Sequence, residues 1–170
     1  KEVGEQADVE FVKLDLADLA SIRACASELD KKLGRLDGLL NNAAVGVCPQ
    51  QKTKDGFELQ FGTNHLGPFL LTELLLPKLI ETKGSRIVNT SSAGHAAYKL
   101  MGVDEKDSVI DFDDLMFEKK EYNQISAYGQ SKLANILHAN YLAKLMKEQK
   151  HDVTVVSLHP GFVVTDLVRH

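Results

Sequence analysis

The sequence predicts a single α/β domain built on a parallel β-sheet, on three observations. Short β-branched or apolar runs alternate with longer stretches of helical periodicity, the pattern of βαβ units. The strand-like runs are almost continuously apolar, as expected of strands covered on both faces. Polar residues gather just past those runs: Asp15, Asn41 and Asn42, Ser91 and Ser92, and His159 to Gly161. In an open parallel sheet, ligands bind beyond the carboxyl ends of the strands. Four strands therefore deliver polar groups to one ligand-facing edge.

The elements follow in order. VEFVKLDL, at 9–16, opens with β-branched residues and reads as a strand. Asp18 follows as an N-cap. Leu19, Ile22, Ala26, Leu29 and Leu33 then recur at helical spacing, and Gly34 marks the helix end. LDGLLNNAA, at 36–44, reads as a short buried strand that ends in small and polar residues. A long apolar helix is expected over about 57–82, with Gly84 past its end. SRIVNTSSAGH, at 85–95, is a strand running into a polar turn. The acidic segment 96–124 is longer than a tight strand–helix connection needs. It reads equally as a wall of a substrate entrance and as a solvated surface excursion. A helix over 124–149 and a buried strand over 152–161, broken by Pro160, complete the chain.

Composition sets the bounds. The 170 residues, 44% of them hydrophobic, suffice for one core, and 1–170 reads as one partial domain. A net charge of −4 with no basic run gives nucleic acid nothing to bind. Cys25 and Cys48 form no CxxC pair, so a reduced, intracellular setting is expected rather than a disulfide framework. The six histidines lack ligand spacing, and no metal is expected. The most apolar run, at 69–80, is too short to span a bilayer and contains Glu73 and Lys78. The chain begins at Lys1 in linker-like sequence and reads as a fragment. Any membrane anchor or targeting segment is expected outside it.

SAYGQSKLAN, at 126–135, places Tyr128 and Lys132 four residues apart. On a helix the two side chains share one face. An ammonium favours the ionised form of a neighbouring phenol, which makes the pair usable in general acid–base chemistry. The spacing alone is common, and a half-buried tyrosine beside a solvated lysine is the plainer reading. Ala127, Gly129, Ser131 and Ala134 are small enough to let another molecule approach that face. Ser91 or Ser92 could hold a carbonyl oxygen, an ordinary turn being the alternative. Pro68 lies four residues after Asn64 and has no N–H for the helical bond to its carbonyl. That carbonyl either holds a water or marks a simple kink.

Six motifs occur in sequence: LDL at 14–16, NNAA at 41–44, NHLG at 64–67, RIVNTSS at 86–92, YGQSK at 128–132 and HPG at 159–161. Together they resemble the short-chain dehydrogenases/reductases. IDFDDL at 110–115 and AYGQSKLAN at 127–135 resemble the retinol-dehydrogenase-like branch. The resemblance implies a Rossmann-type doubly wound parallel sheet in three layers. It would be incomplete here, with its first two strands absent and a gap between the strands near Val9 and Leu39. It also implies hydride transfer between a nicotinamide cofactor and a carbonyl or alcohol. Matched residue by residue, Ser92 would orient the substrate oxygen and Tyr128 would exchange its proton. Lys132 would assist the tyrosine and bind the nicotinamide ribose, and Asn64 would join a proton relay. Asp15 and Leu16 would border the adenine, and Asn42 and Ala43 the adenosine ribose. Pro160, Val163 and Thr165 would meet the nicotinamide and phosphate end.

Branch resemblance favours NADP(H), with NAD(H) second, and a lipophilic substrate such as a retinoid or steroid. It also implies a homodimer through the two long helices, and a place in the cytoplasm or on the cytoplasmic face of a membrane. Two departures stand out. Ala44 replaces the family's glycine in NNAG, and no G-x-x-x-G-x-G loop precedes Val9. The latter makes nucleotide binding by these residues alone expectedly poor, because that loop holds the pyrophosphate. A non-catalytic cofactor-binding relative and an inert truncated product are the rival readings.

Overall fold

The structure is a computed structural model that describes residues 8–96, 110–161, 163 and 167. The runs GLLN, SRIVNT and VTVVSL become β1 (Gly38–Asn41), β2 (Ser85–Thr90) and β3 (Val153–Leu158). They pair in parallel in the order β1-β2-β3, the Rossmann-type arrangement expected. Asn41 stands opposite Asn89, and Thr90 opposite Leu158. This register brings the carboxyl ends of all three strands to one edge, so the residues just past them become neighbours.

Helix α1 (Leu19–Lys32) starts as expected, the Asp18 carboxylate accepting from the N–H groups of Ala20 and Ser21. Its end is different. Leu33 turns extended, with φ −91° and ψ 121°, while its N–H still reaches the Leu29 carbonyl. Gly34 takes no positive φ, so no left-handed residue is needed. Gly84, at φ +74°, does take that conformation ahead of β2.

The long helix expected over 57–82 is broken into α2 (Leu59–Phe61), a π-helical turn (Gly62–Leu66) and α3 (Gly67–Glu81). The N–H of Gly67 bonds to the Gly62 carbonyl, five residues back. Pro68 comes next and cannot donate to Asn64, so the ladder widens before it. The fourth helix, α4 (Gln124–Glu148), carries Tyr128 and Lys132.

Apolar residues at helical spacing make the core: Ile22 and Ala26 of α1, Leu71, Leu75 and Leu79 of α3, and Leu142 and Met146 of α4. They pack on Ile87, Val153 and Val155 of the sheet. These helices all lie on the same face. The sequence suggested strands covered on both faces, but among the described residues the other face is open. Leu40, Val156 and Leu158 are exposed there.

The strand expected at 9–16 does not form. The segment has no ladder partner among the described residues, and Val9 and Phe11 are exposed. A strand needs a hydrogen-bonded neighbour, and none of β1 to β3 lies beside it. Its far end is nonetheless anchored: the Ala17 carbonyl accepts from the N–H of Lys54, at 3.0 Å.

That anchor makes Gly67 a close-packing position. A Cβ there would sit 2.5 Å from the Leu16 carbonyl oxygen, a backbone atom with little freedom to retreat. Gly67→Ala is expected to destabilise the protein by about 1–3 kcal/mol, as overpacking does. That corresponds to a thermal midpoint lower by roughly 2–4 °C per kcal/mol. An unchanged midpoint in a thermal melt would show that 14–17 does not rest on α3.

Candidate active site

Lys132 is almost wholly buried, 3% exposed, in the third turn of a helix packed against the sheet edge. Its Nζ donates to the Thr90 carbonyl at 3.3 Å. The Ser91 hydroxyl donates back to the Lys132 carbonyl at 2.8 Å, so the end of β2 and α4 are joined in both directions. Burial pushes the ammonium's pKa down to about 8, because a charge is poorly solvated there. Two of its three N–H bonds have no protein partner among the described residues.

Tyr128 stands one helical turn earlier. Its ring centroid is 5.6 Å from Lys132 Nζ, so the pair shares one volume as the spacing required. The ring is flanked by glycines. A Cβ on Gly94 would lie 2.9 Å from Tyr128 Cε1, and one on Gly46 would lie 3.2 Å from Cε2. Only hydrogen in place of a side chain leaves room on both edges. The phenolic oxygen has no hydrogen-bond partner among the described residues.

The two serines part company here. Ser91 is buried and its hydroxyl proton is committed to Lys132. Ser92 is half-buried, and its Oγ accepts from the Gly94 N–H at 3.0 Å, leaving its proton to donate elsewhere. Since Gly94 touches both Ser92 Oγ and the Tyr128 ring, the two side chains flank one small residue.

Asn64 is brought to the same edge by the π turn, but its side chain acts as a clamp. Oδ1 accepts from the Val45 N–H, and Nδ2 donates to the Val45 carbonyl, both at 2.8 Å. Nδ2 also reaches Ser131 Oγ on α4. Its backbone carbonyl, freed by Pro68, accepts from Asn135 Nδ2 at 3.0 Å. The sequence left that carbonyl to a water or a kink; a side chain from α4 takes one of its lone pairs.

The positions matched to the nucleotide are placed unevenly. Asn42 and Ala43 are exposed just past β1, and Asn42 Oδ1 accepts from Thr90 Oγ1 at 3.2 Å. Pro160 and Val163 are exposed beyond β3. Leu16 is half-buried against Gly67. The exposed Asp15 turns its carboxylate to the Ala17 N–H, forming a local turn. Thr165 lies outside the described residues.

Sequence reading missed the support behind these residues. The buried Glu58 carboxylate caps α2 through the N–H groups of Gln60 and Phe61 and accepts from the Tyr122 hydroxyl at 3.0 Å. Gln60 accepts from the Val47 N–H and donates to Tyr122 and to the Gln124 carbonyl. This hub ties the segment after β1 to the head of α4. Burial and the neighbouring Glu58 raise the Tyr122 pKa, so its phenol keeps its proton. The part of the acidic segment that is described, 110–123, is also packed down. Asp114 and Phe117 are buried, and Gln130 Nε2 donates to the Leu115 carbonyl.

Residues 1–103 match the family model of the short chain dehydrogenases. The chain belongs to the short chain dehydrogenase family. This short chain dehydrogenase is 48% identical to human retinol dehydrogenase 13 over 157 residues, 92% of this chain and 44% of that protein. It thus spans about half the length of the curated relatives it matches. A solved structure of a protein from Mycobacterium paratuberculosis superposes with TM-score 0.73 at 37% identity, covering 91% of this chain and 51% of that one. An NADPH-bound carbonyl reductase from chicken fatty liver superposes with TM-score 0.62 at 27% identity, over 91% of this chain and 58% of that one. Among the described residues, no helix is long and apolar enough to cross a membrane, and no cluster of His, Cys, Asp or Glu could hold a metal.

The buried ammonium has a pH signature in stability. Its folded pKa, about 8, lies below the ordinary 10.5. Below pH 8 both states are charged and the burial penalty is fully present. As pH rises from 8 to 10.5 the folded state sheds its proton first, and the penalty is relieved. Lys132→Met is therefore expected to stabilise the fold at pH 7, by on the order of 3 kcal/mol, and to lose that advantage by pH 10. Denaturant unfolding at both pH values checks this; a pH-independent difference would mean a hydrated lysine.

Proposed function

We propose that this chain supplies the acid–base half of a nicotinamide-dependent oxidoreductase. It would interconvert a lipophilic carbonyl compound, of retinoid or steroid kind, and its alcohol. NADP(H) is the favoured nucleotide, with NAD(H) second. The observation that carries the reading is a phenol with no hydrogen-bond partner among the described residues, set beside a buried ammonium and, across Gly94, beside a hydroxyl free to donate its proton. Kinship with proteins named retinol dehydrogenases supports the substrate class, and likeness to an NADPH-bound carbonyl reductase supports the nucleotide.

The described residues fit the nicotinamide end of such a cofactor. Two N–H donors without a partner among the described residues, on a buried ammonium, suit the hydroxyls of a sugar. The cofactor, when bound, supplies or accepts the hydride at the carbonyl carbon. Ser92 donates its hydroxyl proton to the substrate oxygen and fixes its position. Tyr128 gives its phenolic proton to that oxygen in reduction and takes it back in oxidation. Lys132 places positive charge beside the phenolate that reduction leaves. Asn64, through its backbone carbonyl, belongs to the path that restores the proton. The two free, buried cysteines support a reducing compartment. Phe69 and Leu74 of α3 with Leu137 and Tyr141 of α4 are exposed, and a second copy of the chain is the partner assigned to them.

The activity is assigned to the full-length protein. Because this chain spans about half the length of its curated relatives, weak nucleotide binding is expected of residues 1–170 alone. The test is retinal reduction by the full-length protein with NADPH. Tyr128→Phe is expected to lower kcat by about 10²–10⁴, the usual contribution of general acid–base catalysis. The nucleotide Kd should stay within about threefold, which is under 1 kcal/mol. Wild-type turnover in Tyr128→Phe would end the proposal.

A further inference from the structure

We infer that Asn135 is a positioning residue for the Tyr128–Lys132 pair, its amide joining the Asn64 carbonyl to the same Thr90 carbonyl that holds Lys132. This rests on the function proposed for that pair. Asn135 follows Lys132 by three residues on α4 and is 5% exposed. Its Nδ2 donates to Asn64 O at 3.0 Å and to Thr90 O at 3.2 Å. Carbonyls only accept, so the amide orientation is fixed: nitrogen toward the two carbonyls, oxygen toward His65. His65 Nδ1, 3.1 Å from Asn135 Oδ1, must then be the donor. Both N–H groups and one lone pair of the amide are engaged.

Each partner has a reason to need this amide. The Asn64 carbonyl lost its helical donor to Pro68 and is buried within the π turn. The Thr90 carbonyl has two lone pairs, and Lys132 Nζ and Asn135 Nδ2 fill them at 3.3 and 3.2 Å. Take the amide away and the Asn64 carbonyl loses its side-chain donor, while the Thr90 carbonyl keeps only Lys132. The ammonium beside them is the donor left to satisfy them. It would be drawn toward the π turn and away from the phenol. Asn135 thus keeps the charge under Tyr128 by occupying the competing acceptor.

The titratable groups around this joint are His65 on the π turn and Tyr128, Lys132 and His138 on α4. The described neighbours from β2 and the start of α3, Asn89, Thr90, Pro68 and Phe69, carry no charge. Burial lowers the pKa of His65, and of His138 to about 4, so both are neutral near pH 7. His65 Nδ1–H donates whether or not the ring is charged. Losing Asn135 removes the contact that raises the His65 pKa and would move that group further down, so an upward shift of the pH profile reports the Tyr128–Lys132 pair.

The test uses the full-length protein with Asn135→Ala and the near-isosteric Asn135→Leu, reading alcohol oxidation against pH. Both variants are expected to fold, and to lose about tenfold in kcat, roughly one buried hydrogen bond. The nucleotide Kd should change by less than about twofold. The acidic limb of kcat should move up by about half a pH unit or more, because a more distant ammonium favours the phenolate less. An unmoved limb, a parallel loss of kcat and nucleotide affinity, or failure of both variants to fold would overturn the inference. Tyr128→Phe separates the two levels. If it stays active, the functional reading falls and this one with it. If it is inactive while the limb stays put in both Asn135 variants, this inference alone falls.

Discussion

The edge of this sheet is organised around one buried ammonium. A charge almost removed from water must be met by oppositely polarised groups, or the protein loses stability or the charge is lost. Here the Thr90 carbonyl, the last of β2, meets it. That placement requires α4 to lie tight against the strand end, which the Ser91 hydroxyl secures by reaching the Lys132 carbonyl. The register of β2 with β3 then fixes where Thr90 stands. A displacement of α4 by even one turn would leave both the ammonium and the carbonyls unmatched.

The second constraint is the clearance around the Tyr128 ring. Gly94 closes one edge and Gly46 the other, and each is held from outside. Gly94 is bonded to Ser92 Oγ. Gly46 lies between two anchored residues, Val45 on Asn64 and Val47 on Gln60. Val47 sits at φ 53°, unfavourable for a β-branched residue, and its bond to Gln60 helps to hold it there. The buried Glu58–Gln60–Tyr122 hub thus acts at a distance from the phenol by fixing the segment that confines it.

Much of this could be read from the chain. The Tyr128–Lys132 pairing was legible because the helical period is local. The Asp18 cap was legible because a cap involves residues two and three positions away. The effect of Pro68 on Asn64 was legible as a lost donor, but not the side chain that replaced it. Asn135 lay on the Lys132 face by spacing, yet nothing in the sequence said which carbonyls it would meet. The choice between Ser91 and Ser92 turns on a hydroxyl contact 41 residues away. The hub was hidden for the same reason: Gln60 and Tyr122 are 62 residues apart.

By itself, the sequence determined the alternation of elements, their approximate limits and the residues able to carry acid–base chemistry. These follow from backbone periodicity and side-chain type, both of which act over a few residues. Tertiary structure decided that the run at 9–16 stays outside the sheet, which face the helices cover, and which buried carbonyl each donor satisfies. Such outcomes depend on strand register and helix docking, where a hydrogen bond forms only if distant segments arrive at matching positions.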